Sequence, residues 1–321
     1  MSEYRVVVTD NRYTAYEEEK KVLAEIGAEV EINDFADDGE AAEKLKDADG
    51  ILLNLYPLSG EIISSLPKCR VISRYGAGFD NVDVDAATKA GIWVCRVPDY
   101  AYEDVSDHAL GMILSCARMI PFKDRHIRSG EWNLHFKYKS YRLKDKVLGL
   151  VGYGGIARIL HRKVGGLGLS RVLVFDPYVD DGTIEKAGGV PADLETLMKE
   201  SDYVSVHAPL TDETKHIIGK KELGLMKGTA ILVNTSRGPL IDQQALADVL
   251  AAKKIGAAGL DVFDSEPLED SSPLKKLDNV VLTDHTGWYT EESMAELKTK
   301  AAQNIAEVLK GGKPLYPVNQ V

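Results

Sequence analysis

Long apolar runs are missing from this chain: no segment approaches the roughly 18 uninterrupted apolar residues that a membrane-spanning helix needs. The opening Met1-Ser2-Glu3-Tyr4-Arg5 also lacks a basic stretch leading into an apolar one. Cysteine is scarce. Cys69, Cys95 and Cys116 are an odd, well separated set, each in or beside an apolar stretch, which argues against a disulfide framework and for buried reduced thiols. Positive charge is short as well: 39 Lys and Arg stand against 50 Asp and Glu, a net charge of −11 with no Lys/Arg-rich run. That balance repels nucleic acid and anionic lipid, so neither is expected as a partner. Internal repeats and low-complexity tracts are absent too. What remains is 321 residues, 44% apolar and 28% charged, the usual globular mixture, sized for one large or two ordinary domains. A cytoplasmic location is expected.

The first hundred residues alternate short β-branched runs with helical spacing, which predicts parallel strands joined by crossover helices. Strands are predicted at 6–8, 28–32, 50–55, 71–73 and 92–94, with helices at 15–26, 41–45 and 86–90. This half reads as flavodoxin-like. A long helical pattern over 103–119 follows as a connector, then a polar segment over 123–146. The alternation restarts with apolar runs at 146–151, 172–175, 203–206, 230–233, 257–260 and 280–282, the pattern of a doubly wound parallel sheet. Helical spacing returns over 291–309 and stops at Gly311-Gly312. If that last helix folds back on the first half, the domains are 1–98 with 290–321, and 99–289.

The run Val147-Leu148-Gly149-Leu150-Val151 leads into Gly152-Tyr153-Gly154-Gly155-Ile156-Ala157 and a helical pattern. In such a turn the first glycine permits the tight bend and the second lets the backbone approach a pyrophosphate. The small third residue, Ala157, allows helix and strand to pack closely. Backbone N–H groups of Gly155 and Ile156 would face the phosphates from the positive end of the helix. The next strand ends at Asp176, 24 residues after Gly152, where a carboxylate accepts hydrogen bonds from the adenosine ribose and disfavours a 2′-phosphate. NAD rather than NADP is the expected cofactor, and no metal ion is expected.

Ligands of an open α/β sheet bind beyond the carboxyl ends of its strands. Three apolar runs end there in reactive side chains: Asn234-Thr235-Ser236-Arg237-Gly238, Asp261-Val262-Phe263-Asp264-Ser265-Glu266-Pro267, and Thr283-Asp284-His285-Thr286-Gly287-Trp288. Singly, Arg237 reads as a surface cation, Glu266 as a solvated turn residue and His285 as a cap for the helix starting near Thr290. Together, after a dinucleotide turn, they predict a guanidinium, a carboxylate and an imidazole in one crevice.

With these motifs and Arg74-Tyr75-Gly76-Ala77-Gly78-Phe79-Asp80-Asn81-Val82-Asp83, the chain resembles the NAD-dependent D-isomer-specific 2-hydroxyacid dehydrogenases over nearly its whole length. The interval of 29 residues between Arg237 and Glu266 matches that family's. The resemblance implies a Rossmann NAD-binding domain plus a flavodoxin-like substrate-binding domain, with Arg237, Glu266 and His285 catalytic. It puts the 2-oxoacid carboxylate on the backbone N–H groups of Ala77 and Gly78, with Arg74 as a further contact. Asp261 is expected to hold the nicotinamide carboxamide, and His207, Pro209 and Thr214 to lie beside the adenosine end. Thr235, Arg237 and His285 complete the cofactor-binding set. The residue types suit the chemistry: reduction needs a fixed cation for the carboxylate and an acid that works near neutral pH. Glu266 behind His285 is expected to stabilise the imidazolium and raise its pKa.

The substrate's far end is less defined. The loop Asn54-Leu55-Tyr56-Pro57-Leu58-Ser59-Gly60 contains no Lys or Arg to meet a phosphate. The sequence stops at Val321 without the appended regulatory domain of some phosphoglycerate-oxidising relatives. Trp288 after the histidine resembles hydroxypyruvate and glyoxylate reductases and the C-terminal binding protein co-repressors, where it would wall the pocket and favour short side chains; it reads equally as a buried anchor for the last helix. A small 2-oxoacid is therefore expected as substrate. The alternatives are a D-3-phosphoglycerate dehydrogenase and, in another class, an NAD-sensing dimeric binding protein. The family implies a homodimer built around the connector helix and residues 121–142, and hinges near Pro98 and Gly287.

Overall fold

Short aliphatic runs flanked by amphipathic stretches can bury both of their faces only as parallel strands between helices. The structure, a computed structural model, describes residues 3–132 and 139–321 and shows two such assemblies among them. Two compact units divide the chain, one of Met1–Ala101 with Tyr289–Val321 and the other of Tyr102–Trp288.

The first unit carries strands β1 (Tyr4–Val8), β2 (Ala28–Ile32), β3 (Gly50–Leu53), β4 (Val71–Arg74) and β5 (Trp93–Cys95). They are all parallel, in the order β2-β1-β3-β4-β5, the flavodoxin-like order. Helices α1 (Glu17–Ala24), α2 (Asp38–Leu45), α3 (Gly60–Ser64) and α4 (Val84–Lys89) join them. Val7, Ile51, Leu53, Ile72 and Val94 fill a core shared with Leu45 and Ile63.

In the second unit, α5 (Tyr102–Arg118) and α6 (Ile120–Arg128) precede β6 (Val147–Val151), α7 (Gly155–Lys163), β7 (Arg171–Phe175), α8 (Asp181–Lys186), β8 (Val190–Pro191) and α9 (Leu194–Glu200). Then come β9 (Tyr203–Val206), α10 (Lys220–Leu225), β10 (Ile231–Asn234), α11 (Gln243–Ala251), β11 (Ala257–Leu260) and β12 (Val280–Leu282). The sheet order is β12-β11-β10-β9-β6-β7-β8, a Rossmann arrangement that reverses direction between β6 and β9. Helix α5 lies against β10 and β11. It approaches so closely that a Cβ on Gly259 would come within 2.9 Å of the Met112 Cβ. The closing helix α12 (Glu291–Leu309) belongs to the first unit, where Lys298 Nζ donates to Ala15 O at 2.7 Å. Its N-terminus is capped by Thr290, whose hydroxyl accepts from Ser293 N at 3.0 Å, so no histidine serves as that cap.

One local expectation needs correction. The polar segment over 123–146 begins inside α6, which starts with Pro121 in its first turn and ends with Arg125, His126 and Arg128 where the helix dipole favours cations. Only Phe122 of that helix is buried, so no apolar periodicity marked it. The two-residue strand β8 is likewise too short to show alternation. Part of the stretch 121–142, at 133–138, lies outside the described residues.

Candidate active site

The glycine turn sits where the sheet order reverses. Gly152 has φ +91°, and a Cβ there would lie 2.7 Å from both Ala208 N and the His207 carbonyl carbon, so the β6 and β9 loops touch only because residue 152 has no side chain. Gly154 is the N-cap of α7 with no side chain capping the helix, and the space where its Cβ would stand is open. Gly155 packs on the Tyr102 ring, Ile156 is partly exposed, and Ala157 is fully buried. Asp176 follows β7. Its Oδ2 accepts from Tyr153 N at 2.7 Å and its Oδ1 from Tyr178 N at 2.9 Å, which pins the carboxylate beside the turn while leaving lone pairs free. An uncapped helix N-terminus opening on free space, with a carboxylate at the neighbouring strand end, fits a dinucleotide.

Beyond β9, the His207 Nε2 meets the Ser205 hydroxyl at 2.8 Å, while its Nδ1 is enclosed without a partner. Burial pushes this imidazole down to about 4. Thr214 braces its own loop, donating to Pro209 O at 2.7 Å and accepting from Thr211 N at 2.7 Å. Thr235, beyond β10, is buried with its Oγ1 unpartnered.

The Arg237 loop is built by Asn234, whose Nδ2 donates to Arg237 O at 2.8 Å and whose Oδ1 accepts from Ser236 N at 3.0 Å. Arg237 Nη1 donates to Ser236 O at 2.8 Å. Gly238 sits directly against the backbone of Phe263 and Asp264, leaving no room for a side chain, so the loops after β10 and β11 are in contact. In the second of these, Glu266 Oε1 accepts from Phe263 N at 3.0 Å and Oε2 faces His285 Nδ1 at 2.6 Å. Half-burial works to raise the Glu266 pKa, yet the hydrogen bond and charge of His285, the Phe263 N–H and the Arg237 charge hold it below the usual range. The ionised carboxylate must accept, so His285 Nδ1 carries the hydrogen and Nε2 is left to face outward. Both side chains remain about one-third exposed, 37% for His285 and 36% for Glu266.

Asp261 is enclosed at the end of β11. It is 2% exposed; Oδ1 accepts from Thr283 Oγ1 at 2.5 Å and Thr286 N at 3.0 Å, and Oδ2 from Gly287 N at 2.9 Å. Burial works against its charge, but His108, Thr283 and the Gly287 N–H outweigh that and lower it to about 2. Trp288 folds back so that Nε1 donates to His285 O at 2.9 Å. In the first unit, Arg74 Nη1 donates to Tyr75 O at 2.5 Å and lies over Gly76, whose φ of +132° suits glycine. Ala77 is exposed, its carbonyl accepting from Arg96 Nη1 at 3.4 Å, and Gly78 is partly exposed.

The model of the D-isomer specific 2-hydroxyacid dehydrogenase NAD-binding domain matches residues 110–287, over half of the chain. The chain belongs to the D-isomer specific 2-hydroxyacid dehydrogenase family. A glyoxylate reductase of Korarchaeum cryptofilum is 38% identical over 282 residues, 87% of this chain and 85% of that one. A D-3-phosphoglycerate dehydrogenase of Methanocaldococcus jannaschii is 38% identical over 309 residues, 96% of this chain but 58% of the longer relative. The solved D-lactate dehydrogenase of Aquifex aeolicus, complexed with NAD and lactic acid, matches with a TM-score of 0.85 at 27% identity, covering 95% of this chain and 96% of that one. As a member of this dehydrogenase family the chain is an NAD-linked oxidoreductase acting on the CH–OH group of hydroxyacids, as its motifs led us to expect.

Two residues of this dehydrogenase escaped the sequence reading. His108 of α5 approaches Thr283 Oγ1 at 3.0 Å and Asp261 Oδ1 at 3.5 Å, yet it sits in a helix read only as a connector. Thr283 reads in the sequence only as the polar end of an apolar run. No spacing in the chain ties position 108 to position 283.

Proposed function

We propose that the enzyme reduces a small unphosphorylated 2-oxoacid of the hydroxypyruvate or glyoxylate kind, with Arg237, Glu266 and His285 catalytic. The contact of 2.6 Å between His285 Nδ1 and Glu266, beside Arg237, carries this reading. NADH, when bound, supplies the hydride to the carbonyl carbon. Arg237 contributes a permanent planar cation for the substrate carboxylate. His285 Nε2 holds the proton that the carbonyl oxygen takes up, and in oxidation it receives that proton back. Glu266 orients the ring through its contact with Nδ1.

In the same proposal, Gly152, Gly154, Gly155 and Ile156 cradle the pyrophosphate and Asp176 takes the adenosine ribose. His207, Pro209 and Thr214 border the adenosine end, while Thr235 and Asp261 serve the nicotinamide end. Residues 99–289 then form the NAD-binding domain, and 1–98 with 290–321 the substrate domain, where Ala77, Gly78 and Arg74 meet the carboxylate and Trp288 limits substrate size. A homodimer through α5 and α6 is supported by apolar side chains standing in solvent at Ile120, Ile127 and Trp132, the last 82% exposed. Three free buried cysteines support a reducing cytoplasm. No helix among the described residues is long and apolar enough to cross a membrane.

Similarity to a D-3-phosphoglycerate dehydrogenase over 96% of the chain favours a second reading, with a phosphorylated substrate. The absence of Lys and Arg from positions 54–60 weighs against it. NADH oxidation with glyoxylate, hydroxypyruvate, pyruvate and 3-phosphohydroxypyruvate separates the readings, with the highest kcat/KM expected for hydroxypyruvate or glyoxylate. Preference for the phosphorylated acid reverses the substrate assignment. Tight NADH binding without turnover of any member points instead to an NAD-sensing binding protein.

A further inference from the structure

His285 occupies a left-handed backbone conformation, φ +57°, that a non-glycine residue keeps only when its surroundings impose it. Asp261 imposes it. The Asp261 carbonyl accepts from His285 N at 2.8 Å, and the two carboxylate oxygens take the next two backbone N–H groups, Thr286 and Gly287. The turn that aims His285 is thus folded around one buried carboxylate.

That carboxylate is itself oriented from below. Thr283 Oγ1 lies 2.5 Å from Asp261 Oδ1, and since an ionised carboxylate can only accept, the threonine proton lies between them. The threonine oxygen is then the acceptor for His108, 3.0 Å away, which fixes the hydrogen on His108 Nε2. The donor chain runs one way, His108 Nε2–H to Thr283 Oγ1–H to Asp261. The His108 ring also packs against the turn: a Cβ on Gly287 would fall 3.2 Å from its Cδ2. All of these groups lie within the unit Tyr102–Trp288.

We infer that His108 is a positioning residue for His285, acting through Thr283 and Asp261 and never touching substrate. The inference rests on His285 being the proton donor of the proposed function. A displaced imidazole loses rate rather than affinity, because misplacement by about 1 Å can cost on the order of a hundredfold in the chemical step. The test compares His108→Ala, His108→Gln and His108→Asn, with His285→Gln as reference, by kcat, KM for the best 2-oxoacid, NADH binding by fluorescence, and unfolding temperature.

His108→Ala should lower kcat about tenfold or more, a larger fold-change than any in NADH affinity. A glutamine amide reaches where Nε2 stands, so His108→Gln should restore kcat to within about threefold. An asparagine amide reaches only the Nδ1 position, so His108→Asn should remain as impaired as alanine. Unchanged kcat in His108→Ala, equal defects in Gln and Asn, or parallel losses of kcat, NADH affinity and unfolding temperature overturn the inference. An inactive His285→Gln beside a fully active His108→Ala sinks the positioning role alone. Wild-type turnover in His285→Gln removes the catalytic reading and this inference with it.

Discussion

His207 and His285 stand beyond the carboxyl ends of two strands of one sheet, and their surroundings make opposite chemical objects of them. His207 has a hydroxyl on Nε2 and an enclosed, unpartnered Nδ1, and burial pushes it down to about 4. It is neutral at any physiological pH. His285 has a carboxylate at 2.6 Å and over a third of its side chain in solvent. On the proposed mechanism the acid needs solvent access and a carboxylate to orient its ring, and of these two imidazoles only His285 has both.

The sharpest way to break this contrast is to remove each ring in turn. His285→Gln should lower kcat by about 10²- to 10⁴-fold, the usual worth of general acid catalysis, while NADH still binds. His207→Gln should change kcat by less than about tenfold and raise KM for NADH instead. Steady-state kinetics with the best 2-oxoacid decide this; equal losses of kcat would mean that the two imidazoles are not chemically distinct.

A milder substitution sharpens the contrast by leaving His285 in place. Glu266→Gln keeps an oxygen for Nδ1–H but removes the charge. Hydrogen bonds to charged groups are worth about 1.5–3 kcal/mol against about 1 for neutral ones, so the expected loss in kcat is roughly tenfold. Rate measurements above pH 6, where Glu266 with its lowered pKa is fully ionised in the parent enzyme, are the check. A Glu266→Gln enzyme as slow as His285→Gln would mean that the carboxylate takes part in proton transfer directly.

Legibility in the sequence followed the same divide between local and distant causes. The glycine turn and Asp176 could be read because a positive φ at Gly152 and a polar end to β7 are local demands written in residue type. Strand positions were legible because parallel strands buried on both faces must be apolar throughout. Helix α6 was not, since it buries only Phe122. The bracket around His285 was hidden for another reason: His108, Asp261 and Thr283 meet only after α5 is laid against β11, and nothing in a helix periodic in Ala, Leu and Ile distinguishes a histidine that bonds from one that packs.

The smallest effect concerns stability, and its sign follows from the same burial. The folded-state pKa of His207 lies near 4 and its ordinary value near 6.5, so between those values the unfolded chain binds a proton that the folded chain refuses. Stability then rises with pH across this window, and the histidine costs nothing above about pH 6.5. At pH 5 the penalty relative to pH 7 is about 2 kcal/mol. Calorimetric unfolding at pH 7 and pH 5 should therefore show a smaller acid-induced drop in His207→Gln than in the parent, whatever the two stabilities are at pH 7. The comparison avoids the range where Glu266 titrates, since its lowered pKa confines its own contribution to more acid solution. Identical drops would mean that His207 takes up its proton in the folded state despite its burial.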